Sequence, residues 1–113
     1  MPFINVKTNA KLTAEQAEAM KAQIGEAITT IPGKTEDWLM VGFEDGDQLY
    51  FRGTPEPAAM VTVSVFGSPS AEVTDALTGE LTAILNKTLG IPSDRIYVSY
   101  MMTNHWGWNG SNF

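Results

Sequence analysis

The hydrophobic pattern of this chain changes period from two to 3.6 and back again, twice over, and that alternation limits the fold more than any other feature. In residues 2–8, Ile4 and Val6 alternate with Phe3, Asn5 and Lys7, as in a strand with one apolar face. Thr13-Ala14-Glu15-Gln16 has the form of a capping box, in which the Thr hydroxyl and the Gln side chain satisfy free amides at a helix start. Ala17, Met20, Ile24, Ala27, Ile28 and Ile31 follow at helical spacing, Pro32-Gly33 ends the run, and Trp38 to Phe43 reads as a second strand.

The second half repeats the order. Ala58 to Phe66 is the strongest strand, with Ala59, Val61, Val63 and Val65 opposed to Met60, Thr62, Ser64 and Phe66. Ser68-Pro69 reads as a helix start with proline at the first helical position. Val73, Leu77, Leu81, Ile84, Leu85 and Leu89 continue it until Gly90 and Pro92, and Ile96 to Tyr100 is a further strand. Between the halves, Glu44-Asp45-Gly46-Asp47 is a turn and Leu49-Tyr50-Phe51 a short returning strand. Local words recur: Thr13-Ala14-Glu15 against Ser70-Ala71-Glu72, and Ile31-Pro32 against Ile91-Pro92.

An internal duplication of a β-α-β unit, over about residues 2–52 and 58–113, accounts for the recurrence. The expected fold is α+β and a single domain spanning 1–113. Each crossover helix returns its chain to a parallel neighbour, so both helices cover one face of a mixed four-stranded sheet. The other face then carries Phe66 and Tyr97 beside Ser99, and we expect it to pack against other subunits, because large exposed apolar patches are uncommon on soluble monomers.

Composition removes several classes of function. Seven Lys and Arg against 13 Asp and Glu leave a net charge of −6, which opposes binding to nucleic acid or to an anionic membrane surface. The absence of cysteine excludes disulfides, thiolate metal sites and thiol nucleophiles. One histidine, His105, builds neither a metal site nor a Ser-His-Asp set, so no metal and no cofactor are expected. No apolar run is long enough to span a bilayer and no secretory signal pattern opens the chain, making the cytoplasm the expected location. The acidic residues lie mainly at helix starts and turns, where dipole complementarity and solvation explain them.

What remains is the N-terminus. Methionine before a small residue is normally removable, and Pro2 would then carry a secondary amine with an ordinary pKa of about 7.7 to 8.0. Burial among Phe3, Phe66, Tyr97 and Trp108, with a lysine nearby, would favour the free base at neutral pH. A rigid, uncharged amine suits proton abstraction next to a carbonyl.

MPFINVKTN, Gly33-Lys34, Glu56-Pro57, Phe66-Gly67, Ser93-Asp94-Arg95-Ile96-Tyr97, Gly107-Trp108-Asn109 and Ser111-Asn112-Phe113 occur in an order and spacing that resemble the family of macrophage migration inhibitory factor and D-dopachrome tautomerase. The likeness runs from end to end, with a gap of about two residues before Gly107. It implies a homotrimer that needs no cofactor and interconverts the keto and enol forms of small aromatic 2-keto acids such as phenylpyruvate. Pro2 would be the catalytic base. Lys34 and the Phe66 backbone amide would hold the substrate carboxylate, Tyr97 of an adjacent subunit would border the ring, and Trp38, Trp106 and Phe113 would form pocket walls.

Two departures bear on specificity: Ser99 stands where the cytokine has a substrate-bordering asparagine, and Phe66 replaces a smaller aliphatic residue. Ala58 and Val61 occupy the positions of a Cys-x-x-Cys pair, so thiol redox activity is not expected. Each role has a plainer competitor: Lys34 could complement a helix C-terminus, and Tyr97 and Phe66 could be interface packing. The alternative function implied by the same family is a cytokine-like ligand of a cell-surface receptor, exported without a signal peptide, in which the pocket is vestigial.

Overall fold

The computed structural model describes residues 1–113. Its main sheet has the strand order β2-β1-β3-β4, with β1 spanning Pro2–Thr8, β2 Met40–Glu44, β3 Ala59–Phe66 and β4 Ile96–Thr103. β1 runs parallel to β2, β3 runs parallel to β4, and the central pair β1 and β3 is antiparallel. Helices α1 (Ala14–Ala27) and α2 (Ala71–Leu89) are the two crossovers. A small hairpin, β5 (Gly107–Trp108) with β6 (Ser111–Asn112), closes the chain.

One face of the sheet is sealed by the helices. Ile4 and Val6 of β1 and Val61, Val63 and Val65 of β3 are fully buried against Met20 and Ile24 of α1 and Leu77, Leu81 and Leu85 of α2. Side chains of this size contribute roughly 1.5–3 kcal/mol each when withdrawn from water. Strict alternation in β1 and β3 is what lets one strand meet both a dry layer and an open one.

Both helix starts lie where the repeated words stand. The Thr13 hydroxyl accepts from the Gln16 amide at 3.1 Å while the Gln16 side chain accepts from the Thr13 amide at 2.9 Å. In the second unit Ser70, not Ser68, caps the helix, accepting from the Val73 amide at 3.2 Å. Pro69 therefore lies before the helix and not at its first position. The Ser-Pro pair suggested a start two residues early because proline suits the preceding extended segment equally well. Gly90 ends α2 in the left-handed region at φ 68°, with its amide bonded to the Asn86 carbonyl.

Two other expectations change. The second strand begins at Met40, because Glu36–Trp38 form a single 3-10 turn that lifts Trp38 out of the sheet. Leu49-Tyr50-Phe51 is not a strand: Phe51 makes only an isolated bridge to Thr54. Side chains hold this loop instead. Asn9 Nδ2 donates to the carbonyls of Leu49, Pro55 and Glu56 at 3.1, 3.0 and 2.9 Å. The Arg95 guanidinium, only 8% exposed, donates to the carbonyls of Pro57, Phe51, Thr54 and Glu56 at 2.9 to 3.3 Å.

The uncovered face is more polar than expected. The strand register lines up Asn5, Thr62 and Ser99 as a polar row across its middle. Apolar groups such as Phe3, Phe66 and Tyr97 sit toward the two ends, and Met40, Tyr97 and Met101 are well exposed on the edge strands.

Arg95→Leu should lower the unfolding free energy by about 3 kcal/mol, because four loop carbonyls lose a charged donor that apolar packing cannot replace. Arg95→Lys should recover little, since one ammonium cannot span the same carbonyls. Urea unfolding at fixed protein concentration measures both, and a loss below about 0.5 kcal/mol for the leucine variant would contradict this role for Arg95.

Candidate active site

The antiparallel pairing of β1 with β3 sets the N-terminus beside the end of β3. Pro2 opposes Val65, and the carbonyl of Met1 accepts from the Phe66 amide at 3.1 Å. Pro2 nitrogen, bonded to that carbonyl carbon, thus lies next to the Phe66 backbone. Gly33, at φ 80°, turns the chain so that Lys34 Nζ reaches the Phe66 carbonyl at 3.0 Å and lies 5.8 Å from the centre of its ring. α1 stops at Ala27 and its 3-10 extension at Thr30, and the ammonium points to Phe66 and not to the helix end.

Burial pushes the Met1 amine down from 8.0 to about 6, and the charge of Lys34 and a hydrogen bond from it add to the shift. Pro2, the next residue inward, is buried. A basic nitrogen at this corner of the sheet is held uncharged near neutral pH.

Aromatic side chains wall the other side. Trp38 and Trp108 meet edge to face with ring centres 5.1 Å apart and planes at 84°, Trp108 stacks on Phe113 at 6.4 Å, and Phe113 packs on Phe66 at 5.7 Å. The Phe113 amide bonds to the Trp106 carbonyl at 3.0 Å, which folds the C-terminus back over this wall. A cleft of about 350 Å³ results, lined by Met1, Pro2, Phe3, Asp37, Trp38, Leu39, Met40, Trp106, Gly107 and Trp108. Lys34 and Phe66 line the adjoining depression, so Met1 stands between the two.

Six of the residues singled out in the sequence thus gather at one end of the sheet: Pro2, Lys34, Trp38, Phe66, Trp106 and Phe113. Tyr97 and Ser99 do not join them. Tyr97 opposes Met60, five positions along β3 from the Val65 that opposes Pro2, which is on the order of 17 Å at about 3.3 Å per residue. The same holds for burial of Pro2 by Tyr97, which does not occur within one chain. Tyr97, 60% exposed, stands edge to face on Phe51 at 4.9 Å, over a second cavity of about 240 Å³ lined chiefly by apolar residues of the Leu49–Phe51 loop and β3. Ser99 faces the open side in the polar row.

Asp37, Leu39 and Met40 were not singled out as pocket residues, whereas Trp108, expected beside Pro2, does line the cleft. The Asn109-Gly110 turn held the clue to Trp108, since it folds β5 and β6 into the hairpin that delivers the indole. Asp37 gave no separate signal beyond being one acidic residue among 13.

With Met1 in place, NMR titration of its α-amine should show a midpoint of about 6, and Lys34→Ala should raise it without restoring 8.0, because burial is the larger cause. The unfolded chain keeps this proton up to about 8.0 and the folded chain loses it near 6, so the group makes folding more favourable as pH rises from 6 to 8. A midpoint unmoved by Lys34→Ala would contradict the assigned electrostatics.

Known proteins share this sequence pattern and this fold. The profile of the macrophage migration inhibitory factor (MIF) family matches residues 1–113. A macrophage migration inhibitory factor homolog of Trichinella spiralis is 30% identical over 115 residues, covering all of both chains. The crystal structure of Leishmania major MIF2 superposes with a TM-score of 0.94 at 35% identity, covering 100% of this chain and 97% of the other. The crystal structure of a macrophage migration inhibitory factor homologue from Prochlorococcus marinus superposes with a TM-score of 0.83 at 28% identity, covering 98% of each chain. On the full-length match of its sequence and its fold, the chain belongs to the macrophage migration inhibitory factor family.

Proposed function

We propose that the chain is a cofactor-independent tautomerase of aromatic 2-oxo acids such as phenylpyruvate, with Pro2 as its base once Met1 has been removed. The observation that carries this reading is the depressed basicity at the N-terminus, beside both a lysine and a backbone amide suited to a carboxylate. Met1 occupies the Phe66 amide with its own carbonyl. Its removal frees that donor, turns the Pro2 nitrogen from an amide into an amine, and joins the depression at Lys34 to the tryptophan cleft.

In the enolising direction, neutral Pro2 takes a proton from the carbon next to the 2-carbonyl. The C–H electron pair forms the C=C bond, the carbonyl pair moves onto oxygen, and the prolinium delivers the proton to that oxygen. Lys34 and the Phe66 amide hold the carboxylate, and the indoles and Phe113 flank the ring. The pyrrolidine ring limits the directions in which the base can point.

Tyr97 and Ser99 lie too far along the sheet to act on the same chain's Pro2. The reading therefore includes a homotrimer, in which one subunit's exposed Tyr97 edge completes its neighbour's cleft. The cytoplasm is the proposed site of action, and no helix is long and apolar enough to cross a membrane.

Pro2→Gly should keep the circular dichroism spectrum and slow phenylpyruvate ketonisation about 100-fold or more, the range lost with a positioned general base. Protein that retains Met1 should be slowed at least as much. Equal rates in all three forms would refute the role of the amine.

A further inference from the structure

Asp37 sets a negative charge in the cleft that already holds every tryptophan of the chain. Trp38, Trp106 and Trp108 all line it, and they are the three tryptophans in the sequence. Trp38 and Trp108 stand nearly at right angles and each is about half exposed, so indole surface remains open to a ligand. The Asp37 carboxylate takes part in no ion pair and no side-chain hydrogen bond: the ion pairs of the chain are Lys7 with Glu44 and Asp47, Lys21 with Glu18, and Arg52 with Asp94. Its neighbour on the same 3-10 turn, Glu36, lies over Gly25 of α1 and leaves the cleft to Asp37. Nor does Asp37 serve the N-terminal amine, whose shift comes from burial and Lys34 alone.

The site thus has two poles. Lys34 supplies a cation at the Phe66 end, and three positions later the exposed Asp37 supplies an anion to the lining of the tryptophan cleft. A cation over indole gains from the ring quadrupole, and a carboxylate nearby adds a direct attraction. Simple phenylpyruvate satisfies only the first pole. A ligand with a carboxylate at one end and a positive group at the far edge of its ring satisfies both.

We infer that Asp37 and the three tryptophans make this cleft selective for zwitterionic aromatic acids, carrying a cationic group on the ring end opposite the carboxylate. The inference rests on the reading of Lys34 as the carboxylate contact, and it names the substrate class more narrowly. It assigns Asp37 a specificity role that touches the ligand and not the reacting carbon.

The test compares two probes of nearly equal size on Met1-free protein, 3-[4-(aminomethyl)phenyl]propanoate and its neutral counterpart 3-[4-(hydroxymethyl)phenyl]propanoate, by calorimetry and by quenching of indole fluorescence. The ammonium probe should bind about fivefold tighter or more at low salt, with the ratio shrinking as salt is added. Asp37→Asn should bring the ratio close to one, and Asp37→Lys should invert it. A ratio of one or less in the natural protein, a ratio unchanged by Asp37→Asn, or no binding of either probe would overturn the inference. Phenylpyruvate ketonisation by the same preparation separates the two claims. Turnover with a ratio of one overturns the selectivity alone, whereas a high, Asp37-dependent ratio without turnover supports the selectivity and removes the catalytic reading.

Discussion

The backbone pairing of β1 with β3 is the constraint from which the rest of the site follows. It puts residue 1 against the last amide of β3, and every group of chemical interest reaches that corner by a separate route. Lys34 arrives from the turn after α1, the tryptophans from a 3-10 turn and the C-terminal hairpin, and Phe113 from the end of the chain. A slip of the β1 register by one residue would turn Ile4 and Val6 out of the core, so the hydrophobic layer that stabilises the sheet also fixes the N-terminus.

The core and the corner depend on different forces. Burial of aliphatic side chains needs only alternation and helical spacing, and it tolerates small shifts. The corner relies on a desolvated amine beside a lysine, an arrangement that destabilises the charged form of the amine. The low basicity that would suit proton transfer near neutral pH is therefore an electrostatic cost, borne by a fold whose stability comes from elsewhere.

The order of strands and helices was legible because period and capping chemistry agree. Thr13 and Ser70 stand at the same place in the repeated words and both cap helices, whereas the nearby proline misplaced the second start by two residues. The loop at Leu49–Phe51 was misread as a strand since its apolar run resembles one. What holds it is Asn9 and Arg95, residues far away in sequence that bond to its carbonyls, and no local pattern announces such partners. The same limit applies to the cleft. Pro2 and Lys34 were singled out through family resemblance, while Asp37 gave no signal of its own until the fold set it in the lining of the tryptophan cleft. Tyr97 stands far along the sheet from Pro2 in one chain, and a single sequence carries no sign of how copies meet.

The proposed chemistry requires the Pro2 amine, once exposed, to be an uncharged base at neutral pH. Nitrogen-15 NMR titration of Pro2 in the Met1-free protein, set beside the pH profile of kcat/KM for phenylpyruvate, decides whether it is. Pro2 should titrate below 8.0, lowered by burial and by Lys34 as the Met1 amine is, and kcat/KM should rise with pH through the same midpoint. A Pro2 amine that titrates near 8.0, or activity that does not follow its titration, would contradict it.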